Sequence, residues 1–171
     1  EAVLAVRAEA HGLAKPRGSF SPQITIDAPI MIPEEYVPDL AVRMALYRRL
    51  NDLDEAGDIE GFAAELSDRF GPIPESANNL LRLIEIKQNA LVAQVSKIEV
   101  GPRGALVSFH EDRPPNVSGL LAYVERLGVV AKLRPDSKLV INRNWPDPAS
   151  KLNGCLQLSK GLANIARKGK S

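Results

Sequence analysis

The segment from Asn51 to Asp68 holds the densest group of charged side chains in this sequence. It contains seven carboxylates and no lysine or arginine: Asp52, Asp54, Glu55, Asp58, Glu60, Glu65 and Asp68. Glu65 and Asp68 are three residues apart, so a helix would place them side by side on its surface. Such a surface repels nucleic acid and suits a basic protein partner. A solvated helix face has the same pattern, and charge alone does not separate the two interpretations.

The other reactive residue types do not form a recognisable catalytic site. Gly169-Lys170-Ser171 matches the end of a phosphate-binding loop, but the glycine required five residues earlier is Asn164. His11 and His110 have no cysteine or carboxylate at metal-ligand spacing. Cys155 lies among leucines, which favours a small buried hydrophobe over a nucleophile. We therefore expect no catalytic residue, no metal and no cofactor, and we expect that the chain is not an enzyme.

Amphipathic helices are predicted around the acidic residues. Asp39 is a suitable N-cap for a helix from Leu40 to about Leu53. Asp58 is predicted to cap a second helix, which Gly71 ends. A third helix follows from about Glu75 to Gln94. The expected buried stripes are Leu40, Met44, Tyr47 and Leu50; then Ile59, Phe62, Ala63, Leu66 and Phe70; then Ala77, Leu80, Leu81, Ile84, Ala90 and Leu91.

Strand patterns surround these helices. Apolar residues alternate from Ile24 to Ile30, which is typical of a half-buried edge strand. Two hairpins are predicted in the second part, one around residues 101–104 and one around Pro135-Asp136. Helices are expected from Asn116 or Ser118 to Leu127 and over residues 148–167, the latter weakened by two glycines. The fold class is therefore α+β, with a helical first part packed with a small antiparallel sheet and flanking helices.

These elements divide the chain into three expected parts. Residues 1–22 are predicted to hold the end of a preceding helix and a linker, residues 23–166 a domain, and residues 167–171 a basic tail. The chain begins with Glu1, so we expect a fragment of a longer protein. No apolar stretch is long enough to span a membrane. The single cysteine fits a reducing compartment, so a cytoplasmic location is expected.

The two parts of the chain carry opposite charge. Residues 1–94 hold 15 acidic and 9 basic side chains, whereas residues 95–171 hold 6 acidic and 13 basic ones. The second part could contact DNA through its excess of cations. However, its aromatic residues are few and are not interleaved with bases in a stacking pattern. DNA contact therefore remains an alternative interpretation.

A resemblance to a known family is carried by two segments, IPEEYVPDLAVRMALYRRL (Ile32 to Leu50) and ELSDRFGPIPESANNLL (Glu65 to Leu81). Both are similar to the C-terminal domain of the bacterial transcription-repair coupling factor (Mfd) family. The order of linker, alternating strand, these segments and the hairpin beginning at Lys97 also matches. The likeness is specific over Ile24 to Ala93 and becomes one of pattern after Ala105.

The resemblance implies a function for the parent protein and a non-catalytic role for this part. The family consists of ATP-driven translocases on double-stranded DNA, which displace stalled RNA polymerase and recruit UvrA for nucleotide excision repair. Their RecA-like motor motifs are not found in this sequence, and residues 1–22 would end the motor region. The C-terminal domain of the family is regulatory and autoinhibitory: it packs on the N-terminal UvrB-like module of the same chain and masks the UvrA-binding surface. RNA polymerase and DNA are expected as partners of the parent only.

The resemblance also assigns the candidate site. Acidic residues before the DRFG turn of the family face arginines on the UvrB-like module, and the matching positions here are Glu65 and Asp68. Arg69 and Phe70 are assigned to structure, with Arg69 expected to pair with a local acid or carbonyl. A rival hypothesis is a DNA-contacting accessory module that uses the basic second part, with Lys160, Arg167 and Lys168 as contacts. A third is a purely structural cap on the motor.

Overall fold

The computed structural model describes residues 20–53 and 56–169 of the 171-residue chain. These residues group into two compact units: residues 20–21 and 29–88 form the first, and residues 22–28 and 89–169 form the second. The predictions for residues 1–19, for Asp54 and Glu55, and for Lys170 and Ser171 lie outside the described residues. Within the described ranges, none of the helices combines the length and apolarity needed to cross a bilayer.

Three helices make up most of the first unit: α1 (Leu40–Asn51), α2 (Ala56–Phe70) and α3 (Glu75–Ala93), the last of which ends in the second unit. Asp39 caps α1 as predicted, because its carboxylate accepts a hydrogen bond from the Val42 N–H at 3.0 Å. Gly71 follows α2 with a φ of +94°, a left-handed conformation that glycine adopts without strain. The prediction that Asp58 caps α2 is wrong, because Asp58 lies inside the first turn of the helix. A carboxylate in the first turn still interacts favourably with the helix dipole.

The core of the first unit follows the predicted stripes with a few exceptions. Leu40 is exposed, and Leu46 is the buried residue that the stripe omitted on α1. Phe70 is the last residue of α2 and is only half-buried. Its ring packs against that of Tyr36 at a centroid distance of 5.7 Å. The buried hydrophobic residues of this unit are Ile30, Ile32, Val37, Leu46, Tyr47, Leu50, Ile59, Phe62, Leu66, Ala77, Leu80, Leu81, Leu83, Ile84 and Ile86.

The second unit is built on a five-stranded sheet. Its strands are β1 (Gln23–Thr25), β2 (Val95–Gly101), β3 (Gly104–Phe109), β4 (Ala131–Leu133) and β5 (Leu139–Asn142), in the order β1-β2-β3-β5-β4. β1 is parallel to β2, and the other neighbours are antiparallel. The sheet is therefore mixed, because the long connection between β1 and β2 lets the chain return in the same direction. Ile98, Val107 and Leu139 pair in register and form one buried row.

The edge strand is shorter than its sequence pattern suggests. Burial alternates from Ile24 to Ile30, but only Gln23–Thr25 pairs with β2. Pro29 lies in the unpaired part, where its missing N–H removes no ladder hydrogen bond. The period-two prediction thus gave the correct faces, and the position at the sheet edge is confirmed.

Two α-helices complete the second unit: α4 (Val117–Leu127) and α5 (Pro148–Gly169). Asn116 caps α4 by accepting a hydrogen bond from the Gly119 N–H at 3.1 Å. Arg167 and Lys168 are helical, although the sequence placed them in a fraying tail. Cys155 is buried as predicted, and burial raises the pKa of its thiol to about 12. The described residues thus hold five α-helices and a five-stranded mixed sheet, which confirms the α+β class.

Candidate protein-interaction surface

The α2 helix presents an acidic surface opposite its buried stripe. Ile59, Phe62 and Leu66 are buried. Residues at 57, 61, 64 and 68 are spaced by four, three and four, so they share the opposite face of the helix. The exposed residues that define this acidic face are Gly57, Asp58, Glu60, Gly61, Ala64 and Asp68. Because the centre of the face carries glycine and alanine, the Asp68 carboxylate is accessible above a flat surface.

Glu65 lies at the edge of the acidic face and is held by two arginines of its own unit. Arg49 on α1 donates two hydrogen bonds to it, from Nη1 to Oε2 at 2.8 Å and from Nη2 to Oε1 at 2.7 Å. Arg69 donates a third, from Nη1 to Oε2 at 3.0 Å. These bonds, with those from Arg49 first, lower the pKa of the Glu65 carboxyl to about 2.

Aromatic rings support both arginines of the Glu65 network, which consists of Arg49, Glu65 and Arg69. The guanidinium carbon of Arg49 lies 5.0 Å from the centroid of Phe62. That of Arg69 lies 4.9 Å from the centroid of Phe70. Contacts of this kind attract a cation to the ring face and restrict its rotamers. The two arginines of the network are therefore held by aromatic rings as well as by hydrogen bonds to Glu65.

Tyr36 fixes the end of α2 to the loop that precedes α1. Its hydroxyl lies 2.8 Å from the Gly71 carbonyl oxygen and 3.1 Å from that of Leu66, and it donates to these acceptors. Leu66 lies one turn before the end of α2, and Gly71 is the residue that follows the helix. The part of α2 that carries Asp68 is thus held by Tyr36 at its end and by Arg49 at its side.

The structure separates the two predicted site residues. Asp68 is exposed and has no hydrogen bond or ion pair within the described part of the chain, whereas Glu65 is engaged by two arginines. The expectation that Arg69 pairs with a local acid is confirmed. The segment from Asn51 to Asp68 contains no base, yet Arg49 reaches Glu65 from α1. Whether either residue contacts a partner stays a prediction.

Arg49 is the residue of this surface that sequence reasoning missed. It precedes Glu65 by 16 positions, whereas side chains on one helix meet at spacings of three or four. The pairing depends on how α1 packs against α2, which no local pattern specifies. The sequence offers only a weak indication of this pair: Arg48 and Arg49 lie in the last turn of the helix that directly precedes the acidic segment.

Other candidate chemistry is limited. The described ranges contain no group of three or more His, Cys, Asp or Glu side chains that could hold a metal ion. The basic residues named for DNA contact, Lys160, Arg167 and Lys168, are all exposed on α5. Lys160 and Arg167 are seven residues apart, so they share one face of the helix.

Comparisons with known proteins give a consistent result. The family described as the TRCF domain matches residues 26–120. The transcription-repair-coupling factor of Rickettsia typhi is 33% identical over 129 residues, which cover 75% of this chain and 11% of that protein. The Escherichia coli protein of the same name is 26% identical over 104 residues, which cover 61% of this chain and 9% of that protein. The chain thus spans about a tenth of the length of these relatives.

A solved structure shares the fold. The crystal structure of the C-terminal domain of transcription-repair coupling factor has a TM-score of 0.75 and 18% sequence identity to this chain. It covers 89% of this chain and 98% of its own. The fold likeness agrees with the family match over residues 26–120 and with the relatives. The chain therefore belongs to the transcription-repair-coupling factor family.

Proposed function

We propose that this chain is a non-catalytic regulatory domain, which packs through the acidic face of α2 on the UvrB-like module of its parent protein. In this position it masks the surface that UvrA binds. The parent is then a cytoplasmic, ATP-dependent DNA translocase that displaces stalled RNA polymerase and recruits nucleotide excision repair. Membership of the transcription-repair-coupling factor family supports this assignment.

The single observation that carries the proposal is the environment of Asp68. Its carboxylate is exposed, has no ion pair in the described part of the chain, and stands on a face whose centre is otherwise glycine and alanine. Apart from the chain neighbours and the backbone of α2 itself, no described atom comes within 4 Å of a β-carbon placed at Gly57 or Gly61. A planar guanidinium can therefore reach Asp68 from outside and bind both carboxylate oxygens.

Glu65 has a different role in this proposal. Its network contains two guanidinium groups for one carboxylate, so it carries a net positive charge and does not attract further arginines. Its side chain is 33% exposed, and both oxygens already accept hydrogen bonds. Glu65 thus positions α2, while Asp68 makes the electrostatic contact, and Asp58 and Glu60 extend the acidic face two to three turns towards the start of the helix.

A modest interface is sufficient for such a mask. A partner joined to the same chain is present at an effective concentration of roughly millimolar. A tenfold reduction in UvrA binding then requires only ~1.4 kcal/mol of bias towards the closed form. Close interfacial charge pairs contribute about 1.5 kcal/mol or more each. One or two arginines facing Asp68 and its neighbours meet this requirement.

Reversal of Asp68 in the full-length parent tests the proposal. Asp68→Lys replaces attraction with repulsion, so UvrA should bind about tenfold more tightly than it binds wild type. Asp68→Asn should have a smaller effect, and high salt should reduce the difference. Glu125→Lys is the matched control, because Glu125 is an exposed helix carboxylate on α4 outside the acidic face. A folded Asp68→Lys protein with wild-type UvrA affinity would overturn the proposal.

The rival function is DNA contact through the basic face of α5. Lys160 and Arg167 share one helix face and are exposed, which favours this alternative over other DNA-binding modes. It predicts that duplex DNA binds the chain with a steep salt dependence, and that Lys160→Glu with Arg167→Glu abolishes this binding. The same double variant should leave UvrA masking unchanged if the acidic face is the contact.

A further inference from the structure

The second unit contains a cavity of about 350 Å³ that the proposed function does not use. Leu127, Ile141 and Leu158 form its apolar walls, and the rings of Tyr123 and Trp145 also line it. This volume lies near the lower end of the range of about 300–1,000 Å³ that is typical of small-molecule sites. All of its lining residues belong to the second unit.

Two glycines of α5 seat the two aromatic rings. A β-carbon at Gly154 would overlap the Trp145 ring, and one at Gly161 would lie 3.1 Å from the Tyr123 ring. Positions 154 and 161 are two turns apart on one helix face, about 10 Å along the axis. Gln157 lies on the same face between them and lines the cavity. The glycines that weaken α5 in the sequence therefore allow both rings to pack directly on the helix backbone.

The cavity is lined by polar groups that lack acceptors. Trp145 is only 8% exposed, yet its indole N–H donates no hydrogen bond to any described residue. Tyr123 is half-buried, and Arg143 and Gln157 are exposed to solvent; these three side chains make no hydrogen bond within the described residues. A buried donor without an acceptor is costly, so native proteins rarely leave one unpaired. These four side chains can all donate to a group placed in the cavity.

The charge of the cavity is positive. No carboxylate lines it, whereas Arg143 does. The Arg126 guanidinium lies 5.8 Å from the centroid of Tyr123, which places a second cation beside the same ring. The pKa of Tyr123 is raised by burial, and the charges of Arg143 and Arg126 act against that rise. The hydroxyl therefore stays protonated at neutral pH and serves as a donor.

We propose that this cavity binds a small organic anion, with a carboxylate or phosphate group on a flat apolar body. The anionic group would accept hydrogen bonds from Trp145, Arg143 and Gln157. The apolar body would lie between the two rings and contact the leucine and isoleucine walls, since aromatic faces favour flat ligands. The backbone N–H of Trp145 donates to the Pro102 carbonyl at 2.8 Å, and that of Arg143 to the Arg103 carbonyl at 3.0 Å. The backbone at both positions is thus attached to the β2–β3 turn, which fixes where the two side chains begin.

The test uses phenyl phosphate and benzoate as probes for the two anionic groups, with inorganic phosphate and phenol as half-probes. Trp145 is the only tryptophan of the chain, so its indole N–H gives a single side-chain signal in a proton–nitrogen NMR spectrum. Phenyl phosphate or benzoate should change the chemical shift of that signal in a saturable way. The probe that binds with the higher affinity identifies the preferred anionic group. The half-probes should bind at least about tenfold more weakly, because each lacks one part of the recognised chemistry.

Arg143→Gln should weaken binding of the better probe by about tenfold, since it removes a charge-assisted hydrogen bond. Arg134→Gln is the matched control: Arg134 is an exposed arginine of the same unit, paired with Asp136, and does not line the cavity. No movement of the Trp145 signal with either full probe would overturn the proposal. So would equal binding of phenol, or unchanged binding by a folded Arg143→Gln protein.

Discussion

The acidic face of α2 and the cavity of the second unit each concentrate charge of one sign, but they present it differently. On α2, Asp68 stands on an open surface of glycine and alanine. In the second unit, Arg143 and three neutral donors surround an apolar space of about 350 Å³. Both regions contain a helical glycine. The position of a side chain at Gly61 is free of contacts with other described residues, whereas at Gly154 the Trp145 ring occupies the space that a side chain would take.

The shape of a charged region determines which kind of partner it suits. A flat face with accessible carboxylates suits another protein surface, since it offers little enclosure to a small molecule. A concave site with converging donors suits a small anion, because it removes most of the ligand from water. The net charges of the two parts of the sequence could not distinguish these cases.

The same substitution should have opposite effects at Gly154 and Gly61. Gly154→Ala should destabilise the protein by about 1–3 kcal/mol, because the new methyl group would overlap the Trp145 ring and force it to move. Gly61→Ala should instead stabilise α2 by up to about 1 kcal/mol, since its β-carbon meets nothing within 4 Å. Urea unfolding of the two variants measures both changes. If both substitutions changed the free energy of unfolding by the same amount in the same direction, the distinction between the open face at Gly61 and the occupied face at Gly154 would be contradicted.

The next effect distinguishes Glu65 from Asp68. Glu65→Lys removes three hydrogen bonds and places three cations together, so it should lower stability by about 1 kcal/mol, allowing for solvent screening of a partly exposed site. Glu65→Gln is the milder comparison, since its amide oxygen can still accept from Arg49. Thermal or urea unfolding gives the measurement. If Glu65→Lys is as stable as wild type, the Glu65 network does not hold α2 against α1.

The pH dependence of stability offers a separate test of the same network. The pKa of Glu65 is lowered from 4.5 to about 2 on folding, so its ionised form stabilises the native state. That contribution is fully present above about pH 4.5 and is lost as the pH falls through about 2. The stability difference between wild type and Glu65→Gln should therefore narrow across this interval. A difference that stays constant over the interval would show that Arg49 and Arg69 do not stabilise the carboxylate.

The sequence predicted the local features of the fold well. The Asp39 cap, the Gly71 termination and the stripe through Ile59, Phe62 and Leu66 follow from rules that act over a few residues. The parallel pairing of β1 with β2 was not predictable in this way, because it joins residues more than seventy positions apart. Local patterns fix which side of a strand is buried but not which strand it joins.

The candidate surface shows the same limit. The acidic segment and the spacing of Asp68 were visible in the sequence, whereas the pairing of Glu65 with Arg49 required α1 and α2 to be packed together. The cavity of the second unit was not foreseen at all. Gly154 and Gly161 were interpreted as weak points of α5, since nothing in the sequence indicated that Trp145 and Tyr123 would occupy the space above them.

Asp68→Lys should leave the stability of the protein almost unchanged. Asp68 is exposed and has no hydrogen bond or ion pair within the described part of the chain, so its reversal should change the free energy of unfolding by less than about 0.5 kcal/mol. The same urea measurement that shows a loss for Glu65→Lys should therefore show almost none for Asp68→Lys. This separation matters for the masking experiment, because a gain in UvrA binding by a fully stable variant must arise from a lost contact. A loss of stability comparable to that of Glu65→Lys would place Asp68 inside the structural network and remove it as the contact residue.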